Sequence, residues 1–114
     1  MTEQEQTDDG LVLFTDEVNK ALKKYPYRSQ DGKGKEAKVI CRIFGGCYTA
    51  YILEADEKED DILYGIASFG YGFEYGTIYK PSLESSSFLE RDTSVIPEQK
   101  TLGECMKLYN EEFM

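Results

Sequence analysis

The sequence predicts an α+β domain, an antiparallel four- to five-stranded meander sheet packed by an N-terminal and a C-terminal helix. Three observations predict it. Residues 62–80 are rich in aromatic and β-branched residues, carry Glu74 as their one acid, and are punctuated by glycine. That composition suits two strands packed on both faces and joined by a turn near Gly70-Tyr71-Gly72. Residues 37–54 show period-two apolar alternation interrupted by Gly45-Gly46, a hairpin signal. Before and after these runs, at 15–25 and from Thr101 onward, the apolar residues recur with helical spacing.

In chain order, residues 1–10 read as a flexible acidic tail, and residues 11–114 as a single domain. Thr15 is placed to cap a helix over 15–25, with Asp16 and Glu17 in its first turn and Lys23 and Lys24 in its last. Val18, Ala21, Leu22 and Tyr25 form its apolar stripe, and Pro26 ends it. A polar loop, 26–36, leads to the first hairpin. A turn at Gly45-Gly46 would pair Phe44 with Cys47, and then Ile43 with Tyr48, Cys41 with Ala50 and Val39 with Ile52. Cys41 and Cys47 would face opposite sides and form no disulfide. The acidic run Glu54-Ala-Asp-Glu-Lys-Glu-Asp-Asp61 reads as a solvated hairpin loop. After the central pair of strands, Pro81-Ser-Leu-Glu starts a helical turn and Phe88–Ile96 supplies an edge strand. Thr101-Leu-Gly-Glu104 fits a capping box, opening a final helix along Leu102, Cys105, Met106, Leu108 or Tyr109, and Phe113. The two helices are expected on one side of the sheet.

Composition excludes more than it assigns. The chain has 114 residues, three cysteines without C-x-x-C spacing, and no histidine. The commonest general base and metal ligand is therefore missing, as are Ser-His-Asp and Cys-His arrangements, so no catalytic residue, metal or cofactor is expected. Gly70-x-Gly72-x-x-x-Gly76 has one residue too many for a dinucleotide fingerprint and enters a strand, not a helix. No apolar run reaches the ~20 residues of a membrane span. The acidic N-terminus does not read as a secretory leader, and the expected location is the cytoplasm. The cysteines read as buried small hydrophobes.

Net charge is −9, divided as −6 over residues 1–19, +6 over 20–42 and −9 over 43–114. A chain this acidic is repelled by nucleic acid and by anionic membrane, so charge directs it to a basic partner. Glu54, Asp56, Glu57, Glu59, Asp60 and Asp61 are the candidate contacts. Glu54, Glu74 and Asp92 stand apart from the other acids in apolar surroundings and are expected to be solvated or paired with Arg42 or Arg91. A second candidate site is a pocket lined by Tyr64, Glu74, Tyr75 and Tyr79.

The ordered set Ile43-Phe44, Thr49-Ala-Tyr-Ile-Leu-Glu54, Asp60-Asp-Ile-Leu-Tyr-Gly65, Glu74-Tyr-Gly76, Pro81-Ser-Leu-Glu84 and Arg91-Asp92 resembles a small bacterial family, domain of unknown function 2958. Glu54, Gly65, Glu74 and Gly76 match the family pattern position by position. Thr-Ala-Tyr replaces the Trp-Tyr often found in the family, and the second Leu after Glu84 is missing. The resemblance brings no activity with it. It implies an accessory role on plasmids, phages and other mobile elements. Together with the charge, the expected function is a non-enzymatic accessory protein binding a basic, nucleic-acid-binding partner, with an anti-CRISPR or anti-restriction inhibitor as its sharp form. The alternatives are a small-ligand-binding domain or modest enzyme using the tyrosine/carboxylate pocket, and an acidic domain whose charge serves only solubility.

Overall fold

The computed structural model describes residues 10–111. Its elements are α1 (Asp16–Leu22), β1 (Cys41–Gly45), β2 (Tyr48–Ala55), β3 (Ile62–Ser68), β4 (Glu74–Tyr79), α2 (Lys80–Glu84), β5 (Glu90–Arg91) and α3 (Leu102–Leu108), with a short 3-10 turn at Gly34–Glu36. One antiparallel sheet has the order β4-β3-β2-β1-β5. Strands β1 to β4 are the expected meander. The fifth strand crosses to the far edge and pairs with β1 instead of extending beyond β4. It is two residues long, far shorter than 88–96, and the chain around it turns repeatedly: Leu89 N–H bonds Ser86 O and Val95 N–H bonds Asp92 O.

Both helix caps form as the sequence predicts. Thr15 Oγ1 accepts the Val18 N–H at 3.2 Å, and Thr101 and Glu104 make both bonds of a capping box. Helix α1 stops at Leu22, three residues before Tyr25. The next N–H groups, of Lys24 and Tyr25, reach back only three residues, because the residue before a proline is pushed out of helical geometry. Phe113, expected on the last helix, lies outside the described residues, as do residues 1–9 of the expected tail. Gly10 belongs to the fold and not to a tail: it is buried, and its carbonyl accepts the Arg91 N–H at 2.8 Å.

The first hairpin turns at Gly46-Cys47, so that Gly45 pairs with Tyr48, Ile43 with Ala50 and Cys41 with Ile52. The expected register is displaced by two residues, which leaves every side chain on its expected face. Gly45 stays in the strand because a Cβ there would lie 2.3 Å from the Phe88 carbonyl oxygen. The displaced turn puts Cys47 in solvent. Cys41 and Cys105 are buried as expected, all three thiols are free, and burial pushes the Cys41 thiol up to about 12.

The sheet is covered on both faces, not on one. Helix α1 packs Val18, Ala21 and Leu22 with Cys41, Ile43, Ala50, Ile52, Leu63 and Ile78, joined by Leu83 of α2. Helix α3 packs Leu102, Cys105 and Met106 with Val39, Tyr51, Leu53 and Ile66 on the opposite face. The central strands β2 and β3 are therefore buried on both sides. Strand β4 is not: Ile78 is its one buried residue, and Glu74, Tyr75, Thr77 and Tyr79 are exposed.

Candidate functional site

Three polar constellations surround this core. Between β2 and β3 the acidic loop is ordered by Asp56. One of its carboxylate oxygens accepts the Lys58 and Glu59 N–H groups, each at 3.0 Å, and the other accepts the Tyr64 hydroxyl at 2.8 Å. The Glu59 amide, the Tyr64 hydroxyl and the Lys58 amide hold the Asp56 carboxyl below its ordinary range. In return Asp56 pushes Tyr64 up to about 12. With Asp56 spent inside the loop, Glu57, Glu59, Asp60 and Asp61 stand exposed, and none of the four makes an ion pair with a described residue. The loop borders an open cleft of about 540 Å³ whose far wall is α1 and its exit, with Leu22, Pro26 and Ala55 among the lining and Lys23 and Lys80 as its cations.

Glu54, expected among these surface acids, is not with them. It is 2% exposed. The pairing of β2 with β3 shifts between Ile52 and Glu54, a bulge that re-aims Glu54 onto the α3 face, opposite Tyr64. There its carboxylate accepts the N–H groups of Arg28 and Gln30, each at 2.9 Å, and the Tyr75 hydroxyl at 3.2 Å. Arg28 has φ +73°, so the loop after Pro26 curls two amides toward one anion. Gln30 completes the join by bonding the Leu53 carbonyl and both backbone groups of Lys38. Burial, then the Glu54 charge and hydrogen bond, raise the Tyr75 hydroxyl pKa well above its ordinary value. Both oxygens of this buried carboxylate are bonded, three bonds in all, so in this fold it anchors a loop.

The expected tyrosine pocket does not assemble as a four-residue site either: Glu74 and Tyr75 both border an open cleft of about 310 Å³ at β4, but Tyr64 and Tyr79 do not line it. Tyr64 and Tyr75 lie on the α3 face with Glu54, and Tyr27 stacks on Tyr64 with ring centroids 4.2 Å apart. Glu74 pairs with Ala67 on the opposite face. Alternation along β4 forces this division, since positions 74 and 75 must point to opposite sides. Tyr79, at the end of the strand, is half-exposed.

The third constellation centres on Arg42, 8% exposed. Its guanidinium bonds Asp92 and Glu111 at 3.2 Å each and the Tyr51 hydroxyl at 3.3 Å, and lies 3.9 Å from the centroid of the Tyr109 ring. The Tyr51 hydroxyl also donates to Glu111, and the Tyr109 hydroxyl to Asp92. Burial raises the Asp92 pKa, but bonds from Ser94 and Tyr109 and the Arg42 charge outweigh it and hold the carboxyl below its ordinary range. The expected pairing of Asp92 with Arg42 is present; Glu54 and Glu74 make no such pair. The cluster ties α3 and the turn after β5 to the sheet. A sequence reader could have noted that Arg42 occupies a strand position among apolar residues, which demands buried partners.

Among the described residues, no group of three or more His, Cys, Asp or Glu could hold a metal ion, and no helix is long and apolar enough to cross a membrane. No family model, no curated protein and no solved structure matches the chain.

Proposed function

We propose that this chain is a non-enzymatic accessory protein that captures a basic, nucleic-acid-binding protein through its β2–β3 loop. The observation that carries the reading is the loop itself. It is folded, pinned by Asp56, and presents Glu57, Glu59, Asp60 and Asp61, none of them in an ion pair with a described residue. Glu57 and Asp60 border the adjoining cleft, whose lining also holds Leu22, Pro26 and Ala55 and the cations Lys23 and Lys80. The stem of a partner's Arg or Lys can therefore lie on the apolar lining while its head meets the two acids on the loop side. Of the described C-terminal acids, Glu104 is spent on its helix cap and Glu111 on Arg42, so neither extends the contact into a phosphate-like track.

In this reading the protein acts in the cytoplasm, binds neither nucleic acid nor membrane directly, and needs no cofactor. A nuclease of a CRISPR or restriction system is the sharp form of the partner. The mobile-element setting rests on the motif resemblance alone. The burial of Glu54, bonded on both oxygens, and the turning of Tyr75 and Glu74 to opposite faces weigh against the ligand-pocket alternative.

The test compares the wild-type chain with a Glu57→Gln, Glu59→Gln, Asp60→Asn, Asp61→Asn variant. Both are offered to bacterial lysate and then to purified DNA-binding proteins, and washed at rising salt. The expected result is a DNA-binding protein retained by the wild type, released by salt and lost in the variant, with nuclease activity inhibited only by the wild type. Equal retention by the two proteins, or none by either, would refute it.

A further inference from the structure

We propose that two copies of this chain pair through the outer edge of β4, joining their sheets into one continuous antiparallel sheet. Strand β4 ends the sheet, and among the described residues nothing pairs with its outer side. The direction of its free groups follows from one bond. The Lys80 N–H donates to the Asp61 carbonyl at 2.8 Å, and pairing with β3 runs without interruption from Ile62↔Tyr79 to Ala67↔Glu74. Alternation in an antiparallel ladder then turns the backbone of Glu74, Gly76 and Ile78 toward β3 and that of Tyr75, Thr77 and Tyr79 outward. Exposed edges of this kind are usually blunted by a lysine, a proline or a bulge. Glu-Tyr-Gly-Thr-Ile-Tyr has none of these within the strand.

The occupant is a second copy because the edge is complementary to itself in one register. Setting Thr77 against Thr77 on a two-fold axis places Tyr75 opposite Tyr79 of the other copy, twice. All outward groups then meet outward groups, making about six backbone hydrogen bonds. The same register sets Glu74 opposite Lys80 at both ends on the α1 face, where the Lys80 ammonium, 3.3 Å from Asn19 Oδ1 and 4.9 Å from the Phe14 ring centroid in the single chain, would swing to the partner's carboxylate. Shifting by two residues one way puts Glu74 opposite Ile78. Shifting the other way puts Tyr75 opposite Pro81, which has no N–H to give. On the α3 face the two half-exposed rings, Tyr75 and Tyr79, stack across the joint as cross-strand aromatic pairs. The backbone pairing does not rest on the acidic loop's role, but Lys80 also borders the cleft beside that loop, so the Lys80→Glu variant is read by sedimentation alone.

Sedimentation of the full chain from low micromolar to millimolar concentration tests it, alongside amide hydrogen exchange. Expected are a monomer–dimer equilibrium and slowing of exchange at Tyr75, Thr77 and Tyr79 as concentration rises. Thr77→Pro removes an outward N–H without touching the ladder to β3 and should weaken the dimer roughly tenfold or more, with the monomer fold retained. Glu74→Lys should weaken it at low salt, and adding Lys80→Glu should restore it. A chain that stays monomeric at millimolar concentration, with free exchange at those three amides, overturns the proposal and leaves the edge to a strand of another protein. So does a dimer indifferent to both Thr77→Pro and Glu74→Lys. Should a variant fail to fold, the wild type's own sedimentation and exchange decide the matter.

Discussion

Replacing Glu54 by glutamine changes one atom in a closed site, and the structure fixes what that costs. One carboxylate oxygen serves the Arg28 N–H and the Tyr75 hydroxyl; the other serves the Gln30 N–H. Glutamine keeps a single acceptor. In its better orientation the amide oxygen stays with Arg28 and Tyr75, and the NH₂ group is turned against the Gln30 N–H. That N–H belongs to a residue 4% exposed, so leaving it unbonded costs about 1–3 kcal/mol. The two retained bonds lose their charge assistance, adding about 1 kcal/mol. The expected loss is therefore about 2–4 kcal/mol, or a fall in Tm of roughly 8–16 °C for a domain of this size. Urea unfolding followed by circular dichroism measures it, with the midpoint lowered at unchanged slope. A loss below about 0.5 kcal/mol would refute the assignment of Glu54 as the anchor of the loop after Pro26. Capture of a basic partner by the folded variant should be unaffected, which separates Glu54 from the acids that follow it.

Arg42→Met should cost about 3–5 kcal/mol, because it strands Asp92 and Glu111 in a half-buried site; chemical denaturation reads it directly. Gly65→Ala should be among the most damaging single substitutions, since its Cβ would lie 2.0 Å from the Tyr51 carbonyl oxygen; a loss of roughly 3 kcal/mol or more, or failure to fold, is expected in thermal melts. At acid pH the depressed Asp56 carboxyl contributes stability fully above its unfolded value of 3.8 and loses it as pH falls through the folded value, so Asp56→Asn should flatten the stability curve there. At alkaline pH the raised Tyr64 does the reverse. Its contribution is whole below its unfolded value of 10.0 and is lost as pH climbs to about 12, which Tyr64→Phe should abolish in a tyrosinate titration coupled to unfolding.

The sequence was most legible where local chemistry decides structure. Thr15 and the Thr101–Glu104 box signal their helices because a cap is satisfied within one turn of chain. The meander was legible because its hairpins join neighbours. Less could be read where an outcome depends on distant segments. Gly45 looks like a turn residue until Phe88 approaches it. Glu54 looks exposed because it opens the acidic run; its turn to the α3 face depends on a bulge, which reflects how two strands fit, not what either one prefers. The same holds for α3: its stripe is visible, but the face it covers is settled by the route taken through 85–101. The acidic run is legible as a loop between strands, whereas the internal duty of Asp56 is not, since its partner Tyr64 is eight residues away in the next strand.

The crossing of the chain to β5 sets an order on how this molecule can be made. Strands β1 to β4 close hairpin by hairpin as they are synthesised, with short loops and little entropy to overcome. The opposite margin cannot close that way. Gly10 waits for Arg91, and Arg42 waits for Asp92 and then for Glu111, almost the last residue described. A chain halted before Glu90 holds a sheet whose Arg42 has no counter-ion and whose β1 edge is bare, and one halted before Glu111 still lacks the second counter-ion. The margin therefore closes only once residues through Glu111 are in place, and truncation before Glu111 should yield a protein that aggregates, not a smaller one that folds.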